Sequence, residues 1–161
     1  MINTKEIYKA LEQVMDPEIP VLNVLDLGMI TSVVVGDDEN IEVRMIPTFA
    51  ACPAVGFIQG NIKSVLEKEL NRPVTVTLDK EIIWNSNRLS EEAKEKLRNF
   101  GLAAPQRHNG DGYVEIMLQT PCPHCNSTNT YLRSPFGSTL CRAMHYCKDC
   151  GNMFEQFKPV E

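Results

Sequence analysis

The chain has 161 residues, 43% of them hydrophobic and 23% charged, with a net charge of −5. This is ordinary globular composition, enough for one domain or for a small domain plus a metal-stapled module. The acidic balance argues against nonspecific nucleic-acid binding, which needs basic surface. No stretch reaches the roughly 18 apolar residues of a membrane span, and Met1 to Glu6 lacks the basic-then-apolar order of a secretory signal. A cytoplasmic location is therefore expected, where six cysteines favour metal binding or thiol reactivity over disulfides.

Residues 4–15 read as a helix with Ile7, Ala10, Leu11 and Val14 on one face and an Asn3/Glu6 capping pair. Asp16-Pro17-Glu18-Ile19-Pro20 stops it, because a residue before proline is pushed out of the helical region. Its two carboxylates suit either a solvated turn or a pair of ligands or proton carriers. Asn23 to Gly28 is a second connector. Met29 to Val35 and Ile41 to Ile46, joined by the turn residues Gly36 to Asn40, read as an antiparallel hairpin.

The stretch Thr48 to Gly56 lies between that strand pattern and a helical one. Val55, Ile58, Ile62, Val65, Leu66 and Leu70 recur at helical steps. Pro53 suits the first helical position, which places Cys52 at or next to the N-cap. There the helix dipole and free backbone N–H groups favour a thiolate, the form that attacks and binds metal. An inert buried cysteine is the other reading. Asn71-Arg72-Pro73 ends the helix, and Val74 to Leu78 is a third strand.

The order α-β-β-α-β over residues 1–80 describes a small α/β (α+β) domain with a mixed sheet covered by helices. Residues 81–110 read as a connector with one short helix, capped by Ser90, with Glu91 and Glu92 in its first turn and Gly101 past its end. Trp84, the only tryptophan, is expected to be a packing anchor between the two parts.

Residues 111–161 carry the most specific pattern. Cys122-Pro123-His124-Cys125 and Cys147-Lys148-Asp149-Cys150 are two C-x-x-C knuckles separated by 21 residues. Four thiolates so placed close a tetrahedral Zn²⁺ site, although an iron site uses similar knuckles. With strands at Thr130 to Arg133, Thr139 to Tyr146 and Phe154 to Phe157, this is an all-β zinc ribbon. A closed four-sulfur site leaves no position for substrate, so its role should be structural. Cys141 and His145 form a weak C-x-x-x-H pair, and Cys141 is expected to be a buried strand residue rather than a ligand. Arg133, Arg142, Lys148 and Lys158 face five acidic residues in this part, so no basic stripe emerges and a protein partner fits better than nucleic acid.

Asp16-Pro17-Glu18, Asp26-Leu27-Gly28 and Thr48-x-x-x-Cys52-Pro53 resemble, in order and spacing, the metal-sulfur cluster biosynthesis family of SufT-like proteins. That resemblance implies an iron-sulfur cluster assembly-type domain whose reactive or transient metal-binding residue is Cys52, with Asp16, Glu18, Asp26 and Thr48 nearby. Ala51 departs from the glycine that the resemblance leads one to expect before that cysteine.

The ribbon residues Ser127, Thr130, Ser134-x-Phe136-Gly137-Ser138-Thr139-x-Cys141 and Phe154-x-x-Phe157-Lys158-Pro159 extend the likeness, as do Trp84 and Lys96 to Pro105. Together with the N-terminal motifs they resemble the accessory D-type proteins of bacterial phenylacetyl-CoA epoxygenases. The resemblance implies a non-catalytic accessory factor that helps mature an iron-sulfur or other metal centre of the oxygenase or reductase subunits. It implies structural Zn²⁺ and leaves room for a transient iron-sulfur cluster or iron. A homodimer is one way to complete such a site. Two other readings stay open: a thiol-dependent enzyme using Cys52, and a zinc-ribbon scaffold with Cys52 inert. The chain lacks the Glu-x-x-His pairs of a di-iron protein, the dinucleotide fingerprint and the ferredoxin cysteine run, so an oxygenase or reductase role is not expected.

Overall fold

The computed structural model describes residues 2–48, 54–105, 118, 120–139 and 142–157. The chain divides into two compact units, Met1–Trp84 and Asn85–Glu161.

The first unit opens with helix α1, Thr4–Leu11, held by the expected capping box between Asn3 and Glu6. It buries Ile7, Ala10 and Leu11. The helix ends four residues earlier than its apolar stripe predicts. The reason is non-local: Met15 forms an isolated antiparallel bridge with Asn23, the Val24 N–H donates to the Val14 carbonyl at 3.0 Å, and the Asp16 N–H donates to Leu22 at 2.8 Å. Backbone groups spent on that pairing cannot continue a helix. Val14 is still buried, as its place on the stripe requires.

Strands β1, Ile30–Val35, and β2, Ile41–Met45, pair antiparallel. Strand β2 shows the strict alternation that a half-buried strand needs, with Ile41, Val43 and Met45 inward and Glu42 and Arg44 outward. Helix α2, Val55–Leu70, crosses over and buries Ile58, Ile62 and Leu66. It ends at Asn71, whose φ of 52° is the left-handed cap that asparagine tolerates. Strand β3, Val74–Leu78, then pairs parallel with β2, giving a mixed sheet of order β1-β2-β3. Trp84 closes this unit: it is 2% exposed, and its indole N–H donates to the Leu27 carbonyl at 2.6 Å. It thus anchors the Asp26-Leu27-Gly28 connector within the first unit.

The second unit starts with a 3₁₀ turn at Ser86–Arg88 and helix α3, Glu91–Phe100. The Ser90 hydroxyl caps α3 by accepting the Ala93 N–H, and Gly101 takes a φ of 93° at its C-terminus. Of the stretch predicted as a connector with one short helix, residues 81–84 fall in the first unit and residues 85–105 in the second, with the helix present. Strand β4, Leu102–Ala103, joins the ribbon sheet by pairing parallel with β7, Met153–Phe157. Two residues carry no period, so nothing in the pattern announces β4. Strands β5, Thr130–Ser134, and β6, Arg142–Cys147, complete a sheet of order β4-β7-β6-β5. Among the described residues no helix is long and apolar enough to cross a membrane.

Candidate functional site

The two knuckles are built before any metal is considered. Cys122 accepts the His124 N–H on its sulfur at 3.4 Å, its own N–H donates to the Ser127 carbonyl, and Asn126 adopts a φ of 61° to turn the chain back. In the second knuckle the Gly151 N–H donates to Cys147, Gly151 takes a φ of 73°, and the Asn152 side chain donates to the Cys150 sulfur at 3.4 Å. A polar tie joins them: the Asp149 carboxylate accepts from the Ser127 hydroxyl and, at 2.9 Å, from the Asn129 amide. These bonds hold the Asp149 carboxyl below the usual carboxylate range, the Ser127 hydroxyl first.

The four sulfurs of Cys122, Cys125, Cys147 and Cys150 all lie within 4.8 Å of one another. Across the knuckles, Cys122 and Cys150 are 3.8 Å apart and Cys125 and Cys147 are 3.6 Å apart. A tetrahedron of metal–sulfur bonds of about 2.3 Å has sulfur–sulfur edges of about 3.8 Å, so the set is close to the size that a four-coordinate soft metal ion requires. Thiol energetics agree. Desolvation pushes the Cys122 thiol up. The Ser127 N–H draws the Cys125 thiol down, but desolvation and the facing cysteine sulfurs outweigh it and push the group up to about 12. The Asn152 backbone N–H leads the effects that bring Cys150 down to about 7. Sulfurs this close cannot all be thiolates by themselves, and a cation in their midst makes all four so. Cys122 and Cys147 are fully buried and form a core cluster with Ala103 and Phe154, so the centre is part of the packing.

His145 is not drawn into this group. It is buried, stacked on Phe154 at a centroid distance of 5.3 Å, and its Nε2 lies 2.9 Å from Gln156 Oε1. Burial holds its pKa below the ordinary imidazole value. Cys141, its partner in the weak C-x-x-x-H pattern, lies outside the described residues.

In the first unit, Cys52 and Pro53 also lie outside the described residues. Helix α2 begins at Val55 with Ala54 at the N-cap and no side-chain cap, two residues later than the predicted start. The other predicted site residues lie toward one end of the sheet. Asp26 stands four residues before β1, the Met15–Asn23 bridge sets Asp16 beside that connector, and Thr48 follows β2, whose last residue pairs with the first of β1. Asp16 is buried, and its carboxylate accepts the N–H groups of Glu18 at 2.7 Å and Ile19 at 2.9 Å. Asp26 accepts the Asn23 N–H at 3.1 Å, while the Asn23 side chain accepts from Leu25 and Asp26. Both aspartates thus shape their own turns. Glu18 is half-buried and Thr48 is buried. Among the described residues only the four cysteines bring three or more metal-ligating groups together.

Sequence reasoning overlooked Asp79 at this same end. Its N–H donates to the Met45 carbonyl and its carboxylate accepts the Thr31 hydroxyl at 2.9 Å, tying β1 to the exit of β3. The Glu81 N–H first, and then Thr31, hold its carboxyl below the usual range. A lone aspartate after a strand has no motif to betray it.

Comparison with known proteins matches one family model within each unit. Residues 4–78 match the model of the iron-sulfur cluster assembly protein family, and residues 112–158 match that of the PaaD zinc beta ribbon domain. An Escherichia coli K12 protein, provisionally named as the D component of 1,2-phenylacetyl-CoA epoxidase, is 35% identical over 96% of this chain and 92% of its own length. A Porphyromonas gingivalis protein named Fe-S protein maturation auxiliary factor is 41% identical over 55% of this chain and 85% of its own. Among solved structures, a DUF59 domain from Bacillus anthracis aligns with a TM-score of 0.55 and 28% identity, covering 58% of this chain and 89% of that domain.

Proposed function

Because the chain belongs to the PaaD family of 1,2-phenylacetyl-CoA epoxidase components, in which an iron-sulfur cluster assembly domain precedes a zinc ribbon, we propose that it is a non-catalytic maturation factor of that oxygenase system. The clients are the oxygenase and reductase subunits, and the place of action is the cytoplasm. The observation that carries this reading is the full-length match: one relative spans both units, so the assembly-type domain and the ribbon belong to one working chain. The rest of the site is consistent with it. The four-cysteine centre is closed, which suits structural Zn²⁺ and leaves no place for a substrate. The ion would be held by Cys122, Cys125, Cys147 and Cys150 and would supply folding energy to the ribbon. Cys52 is the residue we assign to transient contact with an iron-sulfur cluster or iron, with Asp16, Glu18, Asp26 and Thr48 around it.

The test removes the chain from cells that still make the oxygenase and reductase subunits. Those subunits should then be purified with less bound iron and should epoxidise phenylacetyl-CoA more slowly. Full iron content and full activity without this chain would sink the reading. A second reading is favoured by the engagement of Asp16 and Asp26 in their own turns: a scaffold that docks partners while Cys52 stays inert. A scaffold would support the oxygenase equally well with Cys52 replaced.

A further inference from the structure

A cavity of about 300 Å³ lies within the second unit, between α3 and the first knuckle. Lys94 and Arg98 reach it from α3, and Asn126 borders it from the knuckle. Much of the remaining wall is apolar, with Pro105, Pro121 and Pro123 among its residues. Cys122, one of the four metal ligands, also lines it, so the cavity adjoins the metal centre; the cluster-assembly reading does not use it.

The two cations are oddly placed for a structural role. They stand one turn apart on the same helix, an i,i+4 pair of like charges that weakens a helix. Lys94 is only 8% exposed, an environment lysine avoids unless something rewards its charge. It pairs with Glu91 at 3.3 Å, a side chain that is itself 81% exposed and so a weak counter-charge. Arg98 makes no ion pair among the described residues. A lysine supplies a compact charge and an arginine a planar fork that matches phosphate oxygens. Asn126 adds an amide beside them. Two positive charges suit a dianion, a volume near the lower end of ligand pockets suits a small molecule, and apolar walls suit a compact apolar group.

We propose that this cavity binds the phosphate group of a small phosphate ester, with Lys94 and Arg98 as its counter-charges. The proposal goes beyond the maturation role and is independent of Cys52.

The experiment titrates the full metal-loaded chain with inorganic phosphate, phenyl phosphate and benzoate, using calorimetry. Phenyl phosphate should bind more tightly than inorganic phosphate, because it also covers the apolar wall, and benzoate should bind most weakly, because it carries one charge. Arg98 is exposed, so Arg98→Gln should fold with its metal content unchanged. It should nevertheless lose about tenfold or more in phenyl phosphate affinity, the cost of one charge-assisted contact. Lys94→Gln should do the same. Three results would overturn the proposal: no phosphate binding to the wild-type chain, equal binding in wild type and Arg98→Gln, or a loss of metal affinity in Arg98→Gln without any phosphate effect. The last would make the cations counter-charges to the neighbouring thiolates. Because the readout is binding, failure of this site leaves the maturation reading untouched.

Discussion

Asp79 shows how a single residue can matter without a motif. Its carboxylate ties the beginning of β1 to the end of β3 through Thr31 and the Glu81 N–H. These donors favour the charged form and depress its pKa. A depressed carboxylate stabilises the fold at a pH above its unfolded value of about 4, and that stabilisation is lost as pH falls through the folded value. Asp79→Asn should therefore lower the stability of the first unit at pH 7, and the gap to wild type should shrink from about pH 4 downward. Urea unfolding followed by the fluorescence of Trp84, which is buried in that unit, reads the effect. A gap that stays constant or widens at low pH would refute it. What was legible at this scale was chemistry with a local signature: the Asn3/Glu6 capping box, the Ser90 cap and the C-x-x-C knuckles all depend on neighbours in sequence. Asp79 and the Ser127–Asp149–Asn129 tie were not legible, because their partners are brought together by folding.

At the scale of elements the same distinction holds. The hairpin, α2 and the parallel return of β3 follow from periods of two and 3.6 and from the length of the crossover. The end of α1 and the existence of β4 do not, since each is decided by backbone pairing with a distant segment. The ribbon is the element whose stability can be switched off most cleanly. Cys122 is fully buried in the cluster with Ala103, Cys147 and Phe154, so its sulfur serves both the metal and the core. Metal binding in such modules supplies the folding free energy, roughly 10 kcal/mol or more for structural zinc. Cys122→Ser should lose the metal and unfold the ribbon strands while the Trp84 fluorescence of the first unit is retained. Elemental analysis with circular dichroism checks this. A full complement of zinc in the variant would show that the fourth ligand lies elsewhere, and iron in the wild-type ribbon would replace zinc as the resident ion.

For the whole molecule, the division into two units separates a part whose four cysteines can hold a metal from a part in which, among the described residues, no three metal-ligating groups come together. One cysteine cannot supply the four protein ligands usual for an iron-sulfur cluster. In the first unit the Asp16 and Asp26 carboxylates already accept backbone N–H groups of their own turns. A cluster or iron held through Cys52 would therefore need a carboxylate such as Asp16 or Glu18 to leave its present bonds, a second copy of the chain, or the client's own cysteines to complete its shell. Incomplete ligation makes for weak holding, which is what a donor needs and what a resident cofactor site avoids. The N-cap of α2 is Ala54, and Cys52 precedes it by two residues in sequence. The decisive variant is Cys52→Ala in a strain that lacks this chain. We expect normal expression, unchanged zinc and an unchanged thermal midpoint, because the four ribbon cysteines are the zinc ligands and the maturation reading gives the Cys52 sulfur no part in the fold. Growth on phenylacetate should nevertheless fail, and the client proteins purified from that strain should be short of iron. Normal growth with the variant at wild-type level would assign Cys52 to packing, and the oxygenase would then be served by docking surfaces alone.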